Sequence, residues 1–143
     1  MGWIKKKVED LCKKHNTRNP FELADLLKVY VVQWDLNNEI NGFYQYEKRN
    51  QIIYINNNLP YEQQHVVCAH ELGHAVLHKK SSVPFMRANT LFSIDKIERE
   101  ANRFAAELLI PDESFRELNN MYEIASLHDV PLELVKLKCE KLF

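Results

Sequence analysis

Cysteine, charge of one sign and long apolar runs are all scarce in this chain, and each scarcity removes a class of protein. Its three cysteines, Cys12, Cys68 and Cys139, are odd in number, far apart and form no CxxC pair, so they make no disulfide framework. Free thiols in a reducing cytoplasm are the expectation. The 19 lysines and arginines nearly balance the 20 aspartates and glutamates, for a net charge of -1. No global basic field therefore favours nucleic acid. No apolar run approaches membrane-spanning length, and Met1 leads into a charged helix rather than a signal peptide. A cytoplasmic location is expected, without membrane attachment. There is also no internal repeat, no low-complexity stretch and no linker long enough to separate domains. A length of 143 residues, 45% apolar and 27% charged, fits one soluble globular domain over residues 1–143.

Against this plain background stands His70-Glu71-Leu72-Gly73-His74, an HExxH pattern. Histidines four apart on a helix lie one turn apart on one face, so both can point a ring nitrogen at one metal ion, and zinc suits that arrangement. Glu71 lies beside His70, where its carboxylate can reach a metal-bound water and act as general base. The surroundings strengthen the reading. Val66, Val67, Cys68 and Ala69 precede the motif, and Leu72, Ala75, Val76 and Leu77 fill the other faces. A helix apolar nearly all round is buried, and buried His and Glu need compensation that a metal and its water would supply. The bland alternative is an exposed helix with two incidental histidines.

The rest of the chain reads as α+β. Residues 3–15 form an amphipathic helix through Ile4, Val8, Leu11 and Cys12. A short helix follows Asn19-Pro20, with Asn19 as N-cap and Glu22 placed for a capping box. Val29–Trp34, Gly42–Tyr46 and Gln51–Asn56 read as a small antiparallel three-stranded sheet, the last two strands forming a hairpin. Asn56 to Pro60 ends the sheet and launches the HExxH helix, about residues 60–79. Residues 80–92 read as a loop whose Phe85, Met86, Leu91 and Phe92 serve either as a substrate wall or as a plug at the core edge. Ser93 is the expected N-cap of a helix over about 94–110, ended by Pro111. Asp112 is expected to cap a further short helix, and the tail reads helix–turn–helix.

A catalytic zinc takes a third protein ligand and keeps a position open for water. The helix over 94–110 offers Glu98, Glu100 and Glu107. Ile94, Ile97, Ala101, Ala105, Leu108 and Leu109 mark its buried stripe, and Glu98 lies within it. Glu100 falls on the far side with Lys96, Arg103 and Glu107, where surface charge belongs. A carboxylate on an apolar stripe needs a reason, which favours Glu98 over Glu100. Asn102, four residues on, can accept the proton from the other nitrogen of a liganding histidine. His78 extends the stripe, but at a rise of about 1.5 Å per residue it stands about 12 Å from His70 along the axis, too far for one ion. It reads as a core residue or a support for a ligand. His65, His15 and His128 read as ordinary histidines.

Taken together, Asn19-Pro20-Phe21-Glu22-Leu23-Ala24, Gly42-Phe43-Tyr44, Ile53-Tyr54-Ile55-Asn56, Ala69 to His74 and Glu98 to Pro111 resemble the ImmA/IrrE metalloprotease family, in the right order over about residues 19–111. The resemblance implies a zincin-like fold and a gluzincin-like zinc site in which His70, His74 and Glu98 match the ligands and Glu71 the catalytic glutamate. It also implies a substrate, since members typically cleave a helix-turn-helix repressor. Some serve prophages or conjugative elements and others stress responses. Stress-response relatives carry extra C-terminal sequence, for which a chain ending at Phe143 has no room, and no separate N-terminal DNA-binding domain is evident. Both points favour the mobile-element, ImmA-like type by analogy.

The expectation is therefore a zinc-dependent endopeptidase acting on an intracellular repressor. Tyr44, Tyr46, Tyr61, Arg87 and His128 are candidates for stabilising the oxyanion, and sequence does not choose among them. A first rival is a metal-binding module that sequesters a repressor without cutting it, though simple ligation has no need of Glu71. A second rival, a DNA-binding protein, rests on the tail, whose last helix carries Glu133, Lys136, Lys138, Glu140 and Lys141. That helix has no arginine or asparagine to read bases. Oligomeric state is not readable from the sequence.

Overall fold

The computed structural model describes residues 2–80, 84–86 and 95–142. Two helices open the chain, α1 (Gly2–His15) and α2 (Pro20–Leu26). Three strands follow: β1 (Tyr30–Trp34), β2 (Ile40–Glu47) and β3 (Asn50–Asn56). The HExxH helix is α3 (Tyr61–Leu77), followed by a short β4 (Pro84–Met86) and α4 (Lys96–Leu109). The chain continues through α5 (Glu113–Glu117), α6 (Met121–His128) and α7 (Leu132–Leu142). The class is α+β, as the sequence indicates. Among the described residues, no helix is long and apolar enough to cross a membrane.

The sheet departs from the expected three antiparallel strands in two ways. Its order is β1-β3-β2-β4, and β1 runs parallel to β3, with Tyr30 opposite Ile52 and Trp34 opposite Asn56. The β2–β3 hairpin is antiparallel, as its short polar turn requires. Lys48 and Arg49 take φ of 50° and 67° there, the left-handed pair that suits a two-residue hairpin turn. Alternation alone sets which face a strand buries and not the direction of its neighbour, so β1 was free to pair either way. The second departure is β4, which lies within the segment expected as loop and pairs antiparallel with β2 across a bulge. The other loop residues, including Arg87, Leu91, Phe92 and the expected cap Ser93, fall outside the described residues. The N-cap of α4 is Asp95, whose carboxylate accepts from Ile97 N at 2.9 Å.

One face of the sheet packs on α3 through Tyr44, Ile53 and Ile55, all nearly or fully buried. Helix α3 lies in turn against α4, and α4 against α1 and α7. This layering overturns the expected solvent face of α4. Glu100, Arg103 and Glu107 are buried, the last completely. For Glu107 the reason is a counter-ion from the tail. Lys138 on α7, itself without exposure, lies 3.2 Å from Glu107 and 2.9 Å from Asp112 and donates to the carbonyl of Ile110. Arg103 completes the group 2.8 Å from Glu107 and donates to Leu137 O. Asp112 sits at the N-cap position of α5 but makes no capping bond; its carboxylate turns instead to Lys5, 2.7 Å away, and to Lys138.

Candidate metal centre

From Val66 to Ala75 every residue of α3 is buried, so His70, Glu71 and His74 are held on a helix with little room to move. Gly73 permits its close approach to α4. A Cβ there would stand 3.0 Å from Phe104 Cβ and 3.1 Å from the Ala101 backbone. That approach brings the first turn of α4 over the histidines. Glu98 Oε2 lies 3.1 Å from His70 Nε2, and Glu98 Oε1 lies 2.7 Å from His74 Nε2. Ligand atoms of His70, Glu71 and His74 also lie within 4.8 Å of one another. The imidazoles cross nearly edge to face, with centroids 5.0 Å apart.

His70 Nδ1 is 2.7 Å from Asn102 Oδ1, an oxygen that only accepts, so Nδ1 carries the hydrogen and neutral His70 presents a lone pair at Nε2. Nε2 also lies within hydrogen-bond distance of Glu98 Oε2, at 3.1 Å. Although burial pushes the Glu98 carboxyl up, its contacts with His70 and His74 outweigh this and hold it at about 2. His74 is moved the other way, since burial lowers its pKa more than Glu98 raises it. His74 Nε2 and Glu98 Oε1 are buried and close, yet not aligned as a hydrogen bond. Two imidazole nitrogens and a carboxylate thus converge in a buried cluster where His74 Nε2 and Glu98 Oε1 have no hydrogen-bond partner among the described residues, a need that a cation held between them would meet. Two imidazole nitrogens and a carboxylate oxygen are a donor set that zinc takes in catalytic sites.

Glu71 stands apart from the contact pairs. It has no exposure, and neither carboxylate oxygen has a hydrogen-bond partner among the described residues. Burial first, and the Glu98 charge second, push its carboxyl well above the usual range. A carboxylate in that state has a strong affinity for a proton, the property a general base uses. The nearby Cys68 is no rival nucleophile, because burial drives its thiol pKa far up and leaves it inert.

The structure joins Asn102 to His70 as the sequence suggests, and brings Glu98 rather than Glu100 to the two histidines of the motif. Glu100 is not on a solvated face: its Oε1 lies 2.8 Å from His78 Nε2. Sequence reasoning missed this pair, although an acidic residue two positions after Glu98 and a histidine one turn after His74 were its signals. Several oxyanion candidates are engaged elsewhere. The Tyr44 hydroxyl donates to Lys79 O at 2.5 Å and accepts from Gln51 at 2.9 Å. His128 likewise pairs with Ser114 Oγ at 2.6 Å, whereas Tyr61 and Tyr46 make ring contacts, with Phe21 and Lys79, that leave their hydroxyls out. Arg87 lies outside the described residues.

Comparison with known proteins adds independent findings. The family model described as the IrrE N-terminal-like domain, a peptidase family, matches residues 24–140. The chain is similar to "Uncharacterized immunity region protein 2" of Bacillus phage phi105, with 49% identity over 139 residues, covering 94% of this chain and 88% of that protein. It is also similar to "Metallopeptidase ImmA" of Bacillus subtilis (strain 168), with 38% identity over 116 residues, covering 80% of this chain and 67% of that protein.

Proposed function

This chain belongs to the peptidase family described as the IrrE N-terminal-like domain, and from that membership we propose that it is a zinc-dependent endopeptidase acting in the cytoplasm. Its proposed substrate is a helix-turn-helix repressor of a prophage or conjugative element, cut at a specific site. The observation that carries the chemistry is the meeting of His70 Nε2, His74 Nε2 and the Glu98 carboxylate in one buried cluster, at 3.1 and 2.7 Å. These three residues would hold the ion. The mobile-element setting is supported by the phage relative's name, which places that protein in an immunity region.

When bound, zinc supplies polarisation of the scissile carbonyl and a lowered pKa for water. The chain's own residues do the rest. Glu71 accepts a proton from the attacking water at a carboxylate oxygen and returns it to the leaving amine nitrogen. Its complete burial keeps bulk water from competing for that proton. Asn102 fixes the ring of His70 by accepting a hydrogen bond from its Nδ1.

The test is co-expression with a candidate small helix-turn-helix repressor, chosen from the genes that flank this one, followed by intact-mass analysis. The wild-type chain should yield two fragments summing to the repressor plus one water. Glu71→Gln should retain metal and bind the repressor but yield none, a loss of at least about 100-fold. Relief of repression by Glu71→Gln equal to wild type, with no fragment from either, would establish a sequestering module instead.

A further inference from the structure

A second hydrogen-bonded chain stands behind the site. His74 Nδ1 lies 3.1 Å from His78 Nδ1, and His78 Nε2 lies 2.8 Å from Glu100 Oε1. The side chains of His78 and Glu100 are each 11% exposed, so the chain is largely shielded from water. His78 is where α3 ends: its backbone leaves the helix at φ -133° and ψ 53° while its N–H still reaches His74 O at 2.7 Å. The rings of His74 and His78 then meet with centroids 5.3 Å apart.

The direction of the hydrogen bonds follows from one end. The Glu100 carboxylate only accepts, so His78 Nε2 carries the hydrogen it receives. Neutral His78 then offers a lone pair at Nδ1, and the hydrogen between the two histidines belongs to His74 Nδ1. His74 is thereby left with a lone pair at Nε2, the atom 2.7 Å from Glu98. The geometry points to Glu100 and His78 as positioning residues for His74, a carboxylate–imidazole relay that fixes the tautomer and ring plane of a metal ligand. This rests on the reading of His74 as a ligand given above. The two histidines of the motif are then held by different means, a neutral amide behind His70 and a negative charge behind His74. A carboxylate at the end of such a chain raises the basicity of the ligand relative to the same ring without it.

The test measures zinc affinity by competition with a chromogenic chelator, using the full chain and no substrate. His78→Ala and Glu100→Ala should each weaken zinc binding by about 10–100-fold. Glu100→Gln keeps an oxygen that can accept the His78 proton and should lose less than Glu100→Ala. Because the two residues act in series, the double variant should bind zinc no worse than His78→Ala alone. Metal-free thermal unfolding reports folding separately, and the isosteric Glu100→Gln carries the test should an alanine variant not fold. Wild-type affinity in the folded variants, or a double loss equal to the product of the single losses, overturns the relay. If Glu98→Gln loses zinc while the relay variants keep it, only the relay fails. If the wild-type chain binds no zinc, the ligand reading fails and the relay with it.

Discussion

Helix α4 addresses both ring nitrogens of His70: Asn102 Oδ1 accepts a hydrogen bond from Nδ1 at 2.7 Å, and Glu98, one turn earlier, stands 3.1 Å from Nε2. A single helical turn thus sets the ring's tautomer and supplies the negative charge it faces. The four-residue spacing of Glu98 and Asn102 matters as much as that of the histidines opposite.

Asn102→Ala should therefore weaken zinc binding by about 10–100-fold. It should also cost about 1–3 kcal/mol of stability, because a buried imidazole N–H loses its acceptor. Chelator competition and urea unfolding read the two effects separately. Unchanged zinc affinity would mean that the amide does not orient His70.

Gly73→Ala tests the distance between α3 and α4. In an open helix this change would stabilise by about 0.5–1 kcal/mol. Here the new methyl would meet Phe104 Cβ at 3.0 Å and the Ala101 backbone at 3.1 and 3.2 Å. Overpacking of this kind costs about 1–3 kcal/mol, so the net change should be destabilising. Zinc affinity should fall too, because Glu98 moves away with α4. A rise in melting temperature would show that the two helices separate freely.

Lys138→Met removes a fully buried cation from Glu107 and Asp112. Leaving a buried carboxylate with an incomplete set of partners costs about 3–5 kcal/mol. Adding Glu107→Gln should recover part of that loss by removing the charge left behind. Urea unfolding of the single and double variants checks both signs.

Asp112 gives the fold an acid-sensitive component. Burial raises its carboxyl, but Lys5 and Lys138 more than offset this and hold it at about 2, below the ordinary 3.8. The folded value lies below the unfolded one, so the stabilisation is full above about pH 4 and fades as pH falls through about 2. The carboxylate is partly exposed, which limits the contribution to roughly 1 kcal/mol. The stability gap between wild type and Asp112→Asn should be open at pH 6 and close towards pH 2 in denaturant titrations. A gap independent of pH would assign the effect to packing.

Much of the site is readable because its parts lie within short helical spacings. His70, Glu71 and His74 share one helix, Glu98 and Asn102 another, and the apolar residues around each give the facing. What escaped reading depends on partners far along the chain. Arg103 and Glu107 look like solvated charges until Lys138 is known to lie against them. Glu100 looks the same until the approach at Gly73 brings His78 to it. The hairpin was legible from its turn, whereas the parallel pairing of β1 was not, because strand direction leaves no mark in an alternating pattern. Asp95 rather than the nearby Ser93 caps α4, a choice between two good capping residues that local sequence leaves open.

The placing of β1 beside β3 has a consequence for the order of assembly. β2 and β3 are joined by a tight turn and can pair as soon as both exist, a local event. β1 is made earlier, but its partner is the far strand of that hairpin, with Tyr30 opposite Ile52. Its pairing is the less local of the two, and Tyr30 and Trp34 remain largely exposed even in the finished fold. The loop that β1 closes on β3 is longer than the hairpin turn, so this docking is expected to be slower than hairpin formation. Changes that weaken the Lys48–Arg49 turn should delay β1 as well, although β1 touches neither residue in the ladder.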